Sequence, residues 1–243
     1  MKKLLLILLI PMIGLGQSSN DKYLFLETGI NFSNAYYDYS IETVDFSFSN
    51  MTSTYFSISS DIFSKNNFIV AGNVMYNRRG IGLGEITFTD INGNVLYKFE
   101  AFNYASYLSF SPTIKYSLTK KIITTYLFLS PQIDFKINDN VYLKSDYNMN
   151  ISGNLSHNQL KEGYDFYDFS GISTGINIGI GVTKKIANYL ILGIEYKFWH
   201  NITGKITETE ERFFDPKIYN VKARSSVILL KVGIPICRKT NNH

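Results

Sequence analysis

The chain has 243 residues, of which 18% are charged, and its formal net charge of +4 is too slight an excess to mark a nucleic-acid surface. The single cysteine, Cys237, excludes an internal disulfide, and the 45% of hydrophobic residues are spread rather than massed. No segment after the N-terminus is apolar for long enough to make a transmembrane helix.

Residues 1–17 have the form of a secretory signal peptide: Lys2 and Lys3, an apolar run from Leu4 to Ile10, then Pro11, Gly14 and Gly16 before polar Gln17. No cysteine stands near that site, which argues against a lipoprotein. An exported chain without a membrane helix is either a secreted soluble protein or a transmembrane β-barrel, and the periodicity of the rest decides between them.

Eight segments alternate with period two, the signature of strands with two unlike faces. In the first, 23–33, Leu24, Leu26, Ile30 and Phe32 oppose Glu27, Gly29 and Asn31. An aromatic connection with Tyr36, Tyr37, Tyr39, Phe46 and Phe48 follows. The second, 53–63, sets Phe56, Ile58 and Ile62 against Ser57, Ser59 and Asp61, and Ser64-Lys65-Asn66-Asn67 is a tight turn by composition. The third starts at Phe68, with Val70, Val74 and Tyr76 opposite Asn73, Asn77 and Arg79. Asn92-Gly93 between two alternating arms marks a hairpin that prolongs the third and fourth strands beyond the membrane.

The fourth strand, 102–118, turns Leu108, Phe110, Ile114, Tyr116 and Leu118 outward, and the fifth, 122–137, does the same with Leu127, Leu129, Ile133 and Phe135. Pro112 and Pro131 interrupt these two runs and point to β-bulges. A polar and aromatic connection, 138–169, leads to the most regular strand, 171–182, where Ile172, Thr174, Ile176, Ile178, Ile180 and Val182 oppose Gly171, Ser173, Gly175, Asn177, Gly179 and Gly181. The seventh, 188–200, faces Leu190, Leu192, Ile194, Tyr196 and Phe198 one way and Gly193, Glu195 and Lys197 the other. After a loop holding Glu208, Glu210 and Glu211, the eighth, 223–236, shows Ile228, Leu230, Val232, Ile234 and Ile236 outward.

Alternation alone fits a soluble barrel with its apolar face inside. Three features place lipid outside instead. Long and short connections alternate; Phe32, Phe68, Tyr116, Phe135 and Phe198 fall near strand ends as interfacial girdles do; and glycines gather on the other face. The expected fold is therefore all-β, a single antiparallel up-and-down transmembrane barrel of about eight strands over 18–236, with long extracellular loops and a periplasmic tail at 237–243. The lysine turns at Lys65, Lys120, Lys121, Lys184 and Lys185 fall on the periplasmic side, and Tyr37, Asn92, Tyr147 and Glu210 outside.

Several stretches resemble the PorT-like outer-membrane barrels of Bacteroidota. Met75-Tyr-Asn-Arg-Arg-Gly80 is similar to that family's third strand, and Tyr107-Leu-Ser-Phe-Ser-Pro-Thr-Ile-Lys-Tyr116 to its fourth, with the proline one place later. Tyr126-Leu-Phe-Leu-Ser-Pro-Gln-Ile-Asp134 resembles its fifth, with Ser130 where glycine is usual, and Tyr167-Asp-Phe-Ser-Gly-Ile172 with Gly179-Ile-Gly181 its sixth. The terminal Pro235-Ile236 departs from the aromatic ending common in barrels. The resemblance implies an outer-membrane location in a Gram-negative bacterium and, for one member, a role in protein secretion.

Chemistry is sparse. His157, His200 and His243 have no metal-pair spacing, and His200 with Ser226 lacks a third group for a hydrolase. No catalytic, cofactor or metal site is expected. The register instead puts Glu27, Asp61, Asp134 and Glu195 inside the barrel with Arg79, Lys115, Lys136, Lys197 and Lys231, a charge network among the inward rings of Tyr55, Tyr107, Tyr126 and Phe128. The expected role is a monomeric cell-envelope scaffold in outer-membrane lipid that binds a protein or glycan through its aromatic loops, with a small pore or transporter as the alternative.

Overall fold

The computed structural model describes residues 22–37, 50–89, 91–118, 122–145, 167–187, 189–203, 206–208 and 221–237. The expected signal peptide, Tyr39, Phe46, Phe48, Lys120, Lys121, Tyr147, His157, Glu210, Glu211 and the tail after 237 lie outside the described residues. The strands are β1 (Lys22–Tyr37), β2 (Met51–Lys65), β3 (Phe68–Thr89), β4 (Val95–Ser117), β5 (Ile123–Ser145), β6 (Tyr167–Phe169), β7 (Ile172–Ala187), β8 (Leu190–Asn201), β9 (Ile206–Glu208) and β10 (Val221–Cys237). The eight long ones pair antiparallel in chain order, and β10 returns to β1 from Lys22↔Cys237 to Tyr37↔Val221, closing a barrel. The three-residue strands β6 and β9 pair with each other, and β9 meets the top of β10 at Val221↔Ile206.

Closure comes with a stagger. Cross-strand partners run from Gly181 through Glu195, Leu229, Gly29, Tyr55, Asn77 and Tyr107 to Lys136, whose amide donates to the Gly171 carbonyl. One circuit of the wall thus ends ten residues along the strand it began on, at 171 instead of 181. In eight strands that shear tilts each by roughly 40° and leaves a bore only wide enough for side chains.

Sidedness is the reverse of a soluble barrel. Ile178 and Leu230 are each 58% exposed on the outside, whereas Asp134 and Lys231 are 0% and 2% exposed within. An apolar exterior around a polar, closed sheet is stable only in hydrocarbon, where closure leaves no edge to solvate. The chain is an outer-membrane-type β-barrel that crosses the bilayer with strands. β1 starts and β10 ends at the end with the short turns, and Asn66, at φ 55, supplies the left-handed residue of the β2–β3 turn. Tyr37, Ser145, Asn201 and Val221 and the β3–β4 hairpin, turned at Gly93 with φ 83, lie at the other end.

The wall departs from the sequence reading in three places. Pro112 and Pro131 make no bulge: the register is the same on both sides, Phe110↔Ile133 and Ile114↔Leu129, so the prolines face each other. Neither can donate a ladder bond, and Ser111 Oγ donates to the Pro131 carbonyl while Ser130 Oγ donates to that of Pro112, both at 2.9 Å. The β4–β5 register shifts instead at Ile137, between Ser106↔Asn138 and Tyr107↔Lys136. The β2–β3 register shifts between Asp61 and Phe63, so Phe63, 42% exposed, faces outward beside Ile62, whose Cδ1 lies 3.3 Å from where a Cβ on outward Gly72 would stand. Strands also run further into the expected connections: β1 takes in Tyr36 and Tyr37, and β5 continues to Ser145.

Two expectations test this arrangement. Ile178→Lys, at mid-wall, should lower folding stability in liposomes by about 2–4 kcal/mol, whereas Ile123→Lys beside the short turns should cost no more than about 1 kcal/mol; equal costs would refute the belt. Cysteines placed at Tyr37 and Asn92 should react with an impermeant reagent on intact cells, and cysteines at Lys65 and Lys185 should not.

Candidate functional site: the charged interior

Period two sends every odd residue of β1, β8 and β10 inward, and the register brings four charges from these three strands together. Glu27 faces Lys231 across the closing seam, and its other neighbour is Ser57. Lys231 Nζ lies 2.7 Å from Glu27 Oε1 and 2.8 Å from Glu195 Oε2, and Lys197 Nζ lies 3.4 Å from Glu27 Oε2 and 3.2 Å from Glu195 Oε1. The result is a square of alternating charges, each side shared. Hydroxyls complete it: Ser57 and Ser59 donate to Glu27 at 2.5 and 2.7 Å, Tyr126 donates to Glu195 at 2.7 Å, and Lys197 donates to Tyr55 Oη at 3.0 Å. So many donors per carboxylate offset the cost of burying charge here.

Lys115, paired with Asp61 at 3.3 Å, sits beside the square, its Nζ 5.3 Å from the Phe25 ring and 5.6 Å from that of Tyr126. Farther up, Arg79 Nη2 meets Asp134 Oδ2 at 2.8 Å, and its guanidinium lies between the Trp199 ring at 3.7 Å and the Tyr107 ring at 4.4 Å. Asp134 also accepts from Ser109 (2.5 Å), Gln132 (2.5 Å) and Ser173 (3.0 Å). Arg79, on β3, thereby braces β4, β5 and β8 from across the bore.

Glycine makes room for the rings. A Cβ at Gly179 would collide with the Phe128 ring, at Gly181 with Tyr126, at Gly233 with Phe25 and at Gly175 with Trp199. Each ring lies over a glycine of a neighbouring strand, which is why one face of β7 carries almost no side chains.

Of the nine interior charges read from the sequence, eight fall into three groups: the square with Glu27, Glu195, Lys197 and Lys231, the Lys115–Asp61 pair beside it, and Arg79 with Asp134 above. Lys136 stands nearer the mouth, its side chain 21% exposed and paired with Asp139 at 2.8 Å. The sequence reading missed Asp139 and Trp199. The parity of Glu195 and Lys197 on β8 already places Trp199 inside, but its stacking on Arg79 depends on a contact across the barrel. His200 and Ser226 lie on the outer face of adjacent strands, where Ser226 Oγ is 3.1 Å from Tyr196 Oη. Among the described residues no three His, Cys, Asp or Glu side chains are grouped to hold a metal ion.

No protein-family profile matches the sequence. No curated protein matches it either. Among solved structures the chain is similar to the outer membrane protein OprG of Pseudomonas aeruginosa (8% identity, 90% of this chain and 98% of that one, TM-score 0.49). It is likewise similar to outer membrane protein AlkL in lipid bilayers (13%, 94% and 95%, 0.45) and to Neisserial surface protein A (11%, 86% and 96%, 0.40). The pairing and sidedness above establish the fold without them.

Removing one member of the square strands a buried charge, whereas the Lys136 pair is wet. Glu27→Ala should therefore cost about 3–5 kcal/mol of stability in urea unfolding from liposomes, and Lys136→Ala less than about 1 kcal/mol. Equal costs would mean that the square is hydrated.

Proposed function

We propose that the protein is an outer-membrane scaffold that works through its outer end, without catalysis and without an open channel. The observation that carries this reading is the projection of β3, β4 and β5 above the barrel. The ladder of β3 with β2 ends at Tyr55↔Asn77 and that of β5 with β7 at Phe135↔Ile172, yet β3–β4 pairing runs on to Thr89↔Val95 and β4–β5 pairing to Phe99↔Ser145. A three-stranded sheet rising beyond its neighbours suits a protein or glycan partner in the cell envelope, since sheet edges and exposed aromatic loops are ordinary recognition surfaces.

The bore supports the same reading. The charge square with Tyr55, Tyr126 and Phe25 fills one level, and Arg79 with Trp199 and Tyr107 fills another. The PorT-like resemblance adds a link to protein secretion, and we place the protein with those barrels as part of this proposal. A narrow hydrated path is the second reading, favoured by the buried Asn103 amide and Trp199 Nε1, which have no hydrogen-bond partner among the described residues.

Purified protein in a planar bilayer should carry no steady current. Reproducible current steps altered by Lys115→Ala or Glu195→Ala would establish the pore reading instead.

A further inference from the structure

The outer wall is not uniform. Where β1 to β4 meet, the lipid-facing surface holds a concavity of about 600 Å³. Two adjacent rows of the sheet frame it. One contains Thr28, Phe56 and Tyr76, and the other Leu26, Ile58 and Val74. Small Thr28 and Val74 between bulkier neighbours leave the hollow, and since the strands are tilted the rows run obliquely across the wall. In a bilayer such a groove is filled by hydrocarbon.

Arg78 stands at its upper edge, two residues beyond Tyr76 on the same face of β3. Ten residues separate it from Phe68, which packs on Tyr116 with ring centroids 5.1 Å apart beside the short turn. At ~3.3 Å per residue and a tilt of ~40°, that distance spans about 25 Å, the height of a barrel's apolar band. Arg78 therefore lies at the outer headgroup level. Its Nε donates to Tyr76 Oη at 3.1 Å, Tyr76 in turn donates to Ser106 Oγ at 3.2 Å, and its Cζ is 5.4 Å from the Tyr104 ring. These contacts fix the guanidinium plane without neutralising it. Arg78 is exposed and makes no ion pair among the described residues. A lipid-facing cation without a protein carboxylate takes its counter-charge from the membrane, and the free edge of a guanidinium fits a phosphate in bidentate fashion.

We propose that this wall is a binding site for a phosphorylated lipid of the outer leaflet, with an acyl chain in the groove and the phosphate on Arg78. Tyr76 links the two halves, since it lines the groove and holds the arginine. The site is independent of the bore and lies at the base of the projecting sheet, where Arg78 pairs with Ser106.

The test uses the protein in phosphatidylcholine nanodiscs doped with diphosphoryl lipid A, with retained lipid counted by native mass spectrometry and folding checked by heat-modifiable migration. Wild type should retain the phosphorylated lipid and prefer it to its dephosphorylated form. Arg78→Gln should weaken retention about tenfold or more, Arg78→Lys less, and Val74→Trp should weaken it by filling the groove. Arg224→Gln, an outward cation on β10 away from the groove, should leave retention unchanged. Equal retention by Arg78→Gln, equal loss in Arg224→Gln, or indifference to the phosphate would overturn the proposal. So would a lipid-free dimer that Val74→Trp dissolves, which would make the groove a contact between two copies.

Discussion

In hydrocarbon an unpaired peptide group has no water to turn to and costs several kcal/mol, so a sheet that crosses a membrane must have no edge there. The pairing of β10 with β1 along the full length of both meets that constraint, and most of the structure follows from it. Closing eight strands with a ten-residue stagger sets a narrow bore. The narrow bore decides which side chains fit inside, and the lipid decides which fit outside. The tightest interior contacts also lie on the seam, where Glu27 on β1 and Lys231 on β10 are direct cross-strand partners. Joining the right two edges thus satisfies the backbone and the charges in one step.

Crowding explains the residues that look out of place in strands. Glycine weakens a strand in isolation, yet Gly179, Gly181 and Gly233 each lie beneath an aromatic ring that has nowhere else to go. Proline removes a ladder bond, yet Pro112 and Pro131 stand opposite each other. Their losses fall on the same rung, and Ser111 and Ser130 cover both orphaned carbonyls. The same accounting explains why the interior is polar. An apolar lining would turn each strand into a continuous hydrophobic run, closer to a membrane helix in composition. Alternation keeps every segment half polar, and the buried polar half then needs partners, which serines, tyrosines and paired charges supply around Glu27, Glu195 and Asp134.

The faces were legible in the sequence because period two is a local property. Glu27, Glu195 and Lys231 read as inward from their own strands alone, and so did the rings of Tyr55 and Tyr126. What depended on a partner strand was not legible. A proline reads alike whether it sits in a bulge or in a rung rescued by serines, and only the register tells which. The bulge at Ile62 has no glycine or proline to announce it. Trp199 was inside by parity, but its stacking on Arg79 joins residues far apart in sequence. The extension of β5 through residues 138–145 was hidden because its polar composition resembles a loop, and the pairing of Phe99 with Ser145 overrides it.

The charges inside are balanced level by level as well as in sum. Around the square, Lys115, Lys197 and Lys231 meet Asp61, Glu27 and Glu195, and above them Arg79 meets Asp134. A selective path for ions needs an excess of one sign, or carbonyls turned toward the axis, to replace the water an ion gives up. Here each of these charges is already in an ion pair, and the backbone carbonyls of the wall are spent on the ladder. An ion entering the square would have to break a buried pair to gain a partner there, at a cost like that of removing one. This balance supports the proposal of a closed bore. On that proposal the parts left to interact are the rim, where β3 to β5 rise above the wall, and the lipid-facing wall itself, where Arg78 has no carboxylate partner among the described residues.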